Sequence, residues 1–219
     1  MWSWEAIMVL PGVEVIPAYT FSTCRNVKTI IMADTVKRIE ERAFYCCRSL
    51  VYIQLSRNLE YIGAFAFRFC YSLTSIFIPP SCREIREYAL ADCKELIILS
   101  VPTHTQLDYN VIAATALIEA SSFPTCRFGD YENEEEVHHW IKNRLQGDEY
   151  ALHRACSSYN PLEESIFGIV KTQGLKAFKE PDSVGVTPSQ YLSENPFAEI
   201  EEQKILKRYI LDMMGEIVG

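Results

Sequence analysis

No run of apolar residues in this chain approaches the roughly 18 consecutive positions that suggest a membrane-spanning helix; the longest, such as 76–80 and 97–99, stop far short. No transmembrane span is expected. A basic leader is missing too: residues 1–10 contain Glu5 and no Lys or Arg, and Pro11 and Gly12 interrupt the apolar run before a signal-peptide core develops. The expectation is a chain that stays inside the cell, in the cytoplasm. Basic excess is absent: the formal charge is −8, residues 1–128 carry 12 groups of each sign, and the remainder carries 9 basic against 17 acidic. Phosphate backbones need a concentrated basic surface, so nucleic acid is excluded as an expected partner. Catalytic signatures are missing as well, with no HExxH, GxSxG, glycine-rich phosphate loop or paired CxxC. No catalytic residue, metal set or cofactor is assigned.

Cysteine is present but sparse. The eight thiols are about 4% of the chain, below the density of a disulfide scaffold. Four of them, Cys24, Cys47, Cys70 and Cys93, stand 23 residues apart. Parallel stacking at roughly 4.7–4.9 Å points such side chains the same way and fits bridging poorly, so they read as a ladder of buried thiols. Cys46 should point elsewhere and be the exposed thiol.

What the chain does have is a 23-residue period. Ile39, Ile62 and Ile85 recur, as do Ala43, Ala66 and Ala89; Phe44, Phe67 and Leu90; and Leu50, Leu73 and Leu96. Further columns are Ile53, Ile76 and Leu99; Leu55, Ile78 and Val101; and Ser56, Pro79 and Pro102. The register runs back through Val36, Ile30, Val27, Phe21 and Ile16, and one half-repeat earlier through Ile7, Val9, Pro11 and Val13, so the array begins at a strand. Trp2 and Trp4 are candidates to cover its first coil, because a solenoid needs a cap. A fixed period of this size predicts stacked supersecondary units with a continuous core. Within each unit, Leu-x-x-Ile-x-Ile alternates as a half-buried strand ending near the Ser/Pro column. The segment from Ile62 through Gly63 and Ala66 to Cys70 has the spacing of a short helical turn.

The pattern Ile-x-x-x-Ala-Phe-x-x-Cys-x-x-Leu-x-x-Ile-x-Ile-Pro resembles the BspA-type leucine-rich repeat, over about residues 5–120. The resemblance implies a parallel β-solenoid that binds other proteins, sometimes as a surface adhesin. After Pro102 the register weakens, since Asp108 stands where Ile85 stood, and 111–120 is expected to close the array. Residues 125–136 turn polar and acidic and read as a linker.

Beyond the linker the period becomes helical. Val137, Trp140, Ile141 and Leu145 share one stripe; 150–157 and 161–171 follow, the latter with Leu162, Ile166, Ile169 and Val170 inward. Thr187 before Pro188 reads as a helix cap and first position. Asp182-x-x-Gly185-x-Thr187-Pro188 and Leu152-His153-x-Ala155 resemble degenerate ankyrin repeats over about 147–197. A last helix, 198–218, carries Leu206, Tyr209, Ile210, Met213 and Ile217 on one face, as an amphipathic cap. The expected fold is therefore α+β: a leucine-rich-repeat solenoid over 1–124, the acidic linker 125–136, and an all-α ankyrin-like region over 137–219.

Two histidine settings invite chemistry. His138 and His139 follow an acidic run that includes Glu134 and Glu135, yet adjacent helical residues do not share a face, and a solvated helix start is expected. His153 and Cys156 lie one turn apart; the ankyrin resemblance makes His153 a local hydrogen-bonding group and Cys156 a small core residue. The strands are more informative. If Ile53, Leu55, Ile76 and Ile78 point inward, alternation puts Tyr52, Gln54, Ser75 and Phe77 on the concave face, with Thr29, Ile31, Ile98 and Ser100 in the same columns. Ile31, Tyr52, Gln54, Phe77 and Ile98 are the candidate partner-binding residues, because contiguous apolar surface with an aromatic centre marks a partner site. The alternative is that the helical tail covers them. The function expected is a noncatalytic, monomeric protein–protein interaction module, with a surface adhesin or an enzyme site between the two regions as alternatives.

Overall fold

The computed structural model describes residues 5–121, 134–158, 161 and 163–198. Trp2, Trp4, residues 125–133 of the acidic stretch and the segment beyond residue 198, where a last helix is expected, lie outside them. The chain divides into two compact units, 1–143 and 144–219.

In the first unit each coil contributes a main strand and, a few residues on, a two-residue strand. In chain order these are β1 (Ala6–Val9), β2 (Val15–Ile16), β3 (Thr29–Met32), β4 (Arg38–Ile39), β5 (Tyr52–Gln54), β6 (Tyr61–Ile62), β7 (Ser75–Phe77), β8 (Glu84–Ile85), β9 (Ile98–Ser100) and β10 (Gln106–Leu107). The sheet orders are β1-β3-β5, β7-β9 and β2-β4-β6-β8-β10. Every pairing is parallel, and from Ala6↔Thr29 to Ser75↔Ile98 the partners of the main strands stand one period apart. The repeat columns are the core: Ile39, Ile62, Ile85, Ala43, Ala66, Ala89, Phe44, Phe67, Leu90, Leu50, Leu73 and Leu96 are all fully buried. Phe21, Phe44 and Phe67 stack with centroids 5.3 Å apart.

The thiol ladder is built as the column predicts. Cys47, Cys70 and Cys93 each donate to the carbonyl of Phe21, Phe44 and Phe67 in the preceding coil, at 3.2, 3.4 and 3.2 Å. Burial pushes the Cys47 thiol up to about 12 and Cys70 well above its ordinary value. Cys46 differs from expectation: it is only 9% exposed. Its backbone takes the left-handed conformation, with its N–H donating to the Arg68 carbonyl of the next coil at 2.9 Å.

The turn carrying the Ala-Phe pair is also not helical. Two residues per coil have positive φ, Tyr19, Arg42, Phe65 and Tyr88 in one column and Thr23, Cys46, Phe69 and Asp92 in the other. Left-handed backbone costs non-glycine residues roughly 1–3 kcal/mol each. It turns the N–H groups away from an intrahelical ladder and toward the next coil. Tyr19, Arg42, Phe65 and Tyr88 donate to Glu41, Ala64, Glu87 and Tyr109 carbonyls at 3.1, 3.0, 3.0 and 3.3 Å.

The closing coil keeps the pattern after losing one residue. Leu107, not Asp108, pairs with Ile85, 22 positions on. Shifted by one, Val111, Ile112, Thr115 and Ile118 continue the Ala, Phe, Cys and Leu columns, and all four are buried. Thr115 then caps the short helix α1 (Ala116–Glu119). Helix α2 (Glu134–Asn143) is grouped with this unit rather than with the helical region, and it buries Val137 and Ile141. Its first residue replaces a coil: Glu134 Oε1 accepts the Asn110 N–H at 2.5 Å. Asn110 follows Tyr88 in the first of the two left-handed columns. A side-chain carboxylate thus occupies the place that backbone carbonyls fill in the earlier coils.

The second unit contains α3 (Ala151–Ser157), α4 (Glu163–Gln173) and α5 (Pro188–Glu194), with 3-10 turns at Asp148–Tyr150 and Leu175–Lys179. Thr187 and Gln190 form a capping box, with Pro188 at the first helical position. Before it, Asp182 Oδ1 accepts from Val184 and Val186, and Gly185 supplies the positive φ of the turn. The other Asp182 oxygen takes the Tyr191 hydroxyl at 2.8 Å, and Arg144 donates twice to that hydroxyl. This is a buried charge held by hydrogen bonds, the condition under which burial is tolerated.

Candidate partner-binding face

Because side chains alternate along a strand, each main strand sends one set of residues inward and one outward. The inward set is Ile7, Ile30 and Ile53, opposite one another in register. Outward, Met8, Ile31 and Gln54 form one row and Ala6, Thr29 and Tyr52 the next. Ser75 faces Ile98, and Phe77 faces Ser100, on the β7–β9 pair.

The five sequence-derived candidates separate on accessibility. Ile31, Tyr52 and Gln54 are half-buried and reach solvent. Phe77 and Ile98 are covered, at 2% and 3% exposure, and Ser75 at 5%. Of the expected apolar diagonal, Ile31 and Tyr52 reach solvent while Phe77 and Ile98 do not; alternation identifies a face but does not say which part of it is accessible. Met8, missed as a candidate, is 68% exposed beside Ile31. Its signal was present, since Met8 precedes Ile31 by one period. Leu10, two residues beyond Met8, is also exposed, at 65%. Around Tyr52 the partial desolvation of the phenol raises its pKa, so it stays a neutral donor and acceptor.

Charges elsewhere on the solenoid largely cancel across coils. Lys28 pairs with Glu5 and Lys37 with Glu14, both at 3.2 Å and both one period apart. Arg86 reaches Glu84, Glu87 and Asp108. Exposed pairs of this kind contribute roughly 0–1 kcal/mol each, so they balance charge more than they stabilise.

The histidine settings hold little chemistry. His138 Nε2 is 3.9 Å from Glu134 Oε2, and burial lowers the His138 pKa. Among the described residues no group of three or more His, Cys, Asp or Glu side chains is placed to hold a metal ion. His153 belongs to the other unit, is 2% exposed and packs edge-on against Tyr150 and Tyr191. Its ring nitrogens make no hydrogen bond of good geometry, in place of the local bond expected of it. Burial pushes its pKa down, against the pull of Asp182 and of the Glu180 and Val186 carbonyls, so it is neutral. Cys156 is fully buried.

These features define a parallel-strand repeat solenoid followed by helices. No described helix is long and apolar enough to cross a membrane. The chain matches the BspA type leucine rich repeat region, in six copies, over residues 3–129, and it belongs to that family. Among solved structures it is similar to a leucine rich repeat protein of T. pallidum, at 22% identity and TM-score 0.49, covering 52% of this chain and 56% of that one. A leucine rich cell surface protein from Faecalibacterium prausnitzii is similar at 30% identity and TM-score 0.45, covering 46% of this chain and 27% of that one. The chain thus spans little more than half of the first and about a quarter of the second. No curated protein matches.

Proposed function

We propose that this protein is a noncatalytic, monomeric protein-binding module that engages its partner through the open half of the main-strand face, at Met8, Ile31, Tyr52 and Gln54. The observation that carries the reading is the exposure of Met8, a large apolar side chain, on a rigid strand next to Ile31. Strands fix these positions, so little conformational entropy is lost when a partner covers them. The helical unit acts as an ankyrin-like second contact region: its Asp182 turn and Thr187-Pro188 helix start follow the pattern of an ankyrin junction. The cytoplasm suits the thiol ladder, whose hydrogen bonds require reduced sulfur.

Affinity capture tests the reading. Ile31→Asp with Tyr52→Glu should abolish recovery of a specific partner while far-UV circular dichroism stays unchanged; undiminished recovery would sink the assigned face. A second reading, an adhesin at the cell surface, follows from family membership. Fractionation separates the two, with recovery in the soluble cytosol supporting the first and surface labelling of intact cells supporting the second.

A further inference from the structure

Immediately after the Cys column, one position per coil recurs as Arg25, Arg48, Tyr71 and Lys94. The three cations are exposed. None has a carboxylate within ion-pairing distance among the described residues, whereas Lys28, Lys37, Arg42, Arg68 and Arg86 all do. The two cations nearest Tyr71 are organised around it: the Arg48 guanidinium, from the coil before, and the Lys94 ammonium, from the coil after, each lie 5.3 Å from its ring centre. Tyr45, Phe69 and Tyr71, all half-buried, pack edge to face beside them at 5.4 and 6.0 Å. Among the described residues these three cations thus form a basic stripe without ion-pair partners, with an aromatic platform in it.

We propose that this stripe docks an acidic amphipathic α-helix of a partner protein, laid along the direction in which the coils stack. The periods decide the occupant. Neighbouring coils here pair as parallel strands and so step at about 4.7–4.9 Å. An α-helix advances about 5.4 Å per turn, so one acidic residue per turn stays within about 2 Å of one cation per coil over the three steps from Arg25 to Lys94. An extended strand offers a side chain on one face only every ~6.6–6.8 Å and falls out of step within two or three coils. Acidic residues at i and i+3 meet Arg25 and Arg48, an apolar residue at i+7 meets the Tyr71 platform, and an acidic residue at i+11 meets Lys94. Nucleic acid fits less well, because three cations neutralise few phosphates and the chain's charge of −8 repels a polyanion.

Fluorescence anisotropy on the intact chain at low salt tests this with two labelled alanine-based helical peptides. One carries Glu at i, i+3 and i+11 with Leu at i+7; the other has the same composition with the Glu residues spread around the helix. The first should bind and the second should not. Arg48→Gln or Lys94→Gln should each weaken binding by about 1.5- to 5-fold, as expected for an exposed ion pair. Arg25→Glu with Arg48→Glu and Lys94→Glu should remove it, and Tyr52→Glu, on the separate main-strand face, should leave it unchanged. Absence of binding to the native chain, equal binding of the two peptides, or undiminished binding by the triple variant would overturn the proposal. Tighter binding of a short DNA duplex than of the matched peptide would overturn it in favour of nucleic acid.

Discussion

Replacing Glu134 with Ala should open the last coil. The Glu134 carboxylate accepts the Asn110 N–H at 2.5 Å, and Asn110 is only 5% exposed. Removing the acceptor leaves a buried N–H without its partner, a loss of about 1–3 kcal/mol. Part of this is offset, because burial and the nearby Asp108 carboxylate both raise the Glu134 pKa and oppose its ionised form. A net loss of about 1–2 kcal/mol remains, equivalent to roughly 5- to 30-fold in an opening equilibrium. Amide hydrogen exchange reads it directly: Asn110 protection should fall by that factor in Glu134→Ala and be largely retained in Glu134→Gln, whose amide oxygen still accepts. Arg42 holds the equivalent place in the ladder but donates to the Ala64 carbonyl, so it controls for global destabilisation. Unchanged protection at Asn110 in Glu134→Ala, or equal damage from Gln and Ala, would refute the view that a carboxylate stands in for a missing coil.

Phe67→Ala, at a fully buried position stacked 5.3 Å from Phe44, should cost about 3–5 kcal/mol in urea unfolding. In thiol labelling at pH 8 followed by mass spectrometry, Cys24, which is half-buried, should react first among the described cysteines. Cys47 and Cys82, both pushed up to about 12 by burial, should react only on unfolding; early labelling of Cys47 would contradict the ladder packing, and early labelling of Cys82 its burial. His153 has its pKa lowered by burial from an ordinary 6.5, so the folded helical unit binds fewer protons than the unfolded chain below that pH. Its contribution is therefore present above pH 6.5 and lost as pH falls through 6.5 toward the lowered value. His153→Phe should flatten that part of the stability profile in calorimetric scans between about pH 7.5 and 5.

The solenoid was legible in the sequence because stacking forces equivalent positions into equivalent surroundings, which is why Ile39, Phe44, Cys47 and Leu50 each repeat. The closing coil was not legible at a fixed step, since one missing residue before Leu107 displaced Val111, Ile112, Thr115 and Ile118 from their columns. The turns were misread as helical because Tyr, Arg and Phe give no local signal for positive φ; coil-to-coil hydrogen bonds impose it. Glu134 could not be recognised as a cap from its neighbours, because its partner is 24 residues away. On the candidate face, alternation identified Ile31, Tyr52 and Gln54 as outward. It could not distinguish them from Phe77 and Ile98, whose burial depends on tertiary surroundings and not on strand period. Both capping signals near Thr187 were local and were read correctly.

Site-specific photocrosslinking in the native cell tests the central claim most directly. A photoreactive residue at Tyr52, on the open main-strand face, should give a discrete covalent adduct with one partner protein. The same residue at Glu60, exposed in the same coil away from that face, should give none. Adducts from neither position, or the same adduct from both, would contradict a binding function for this face.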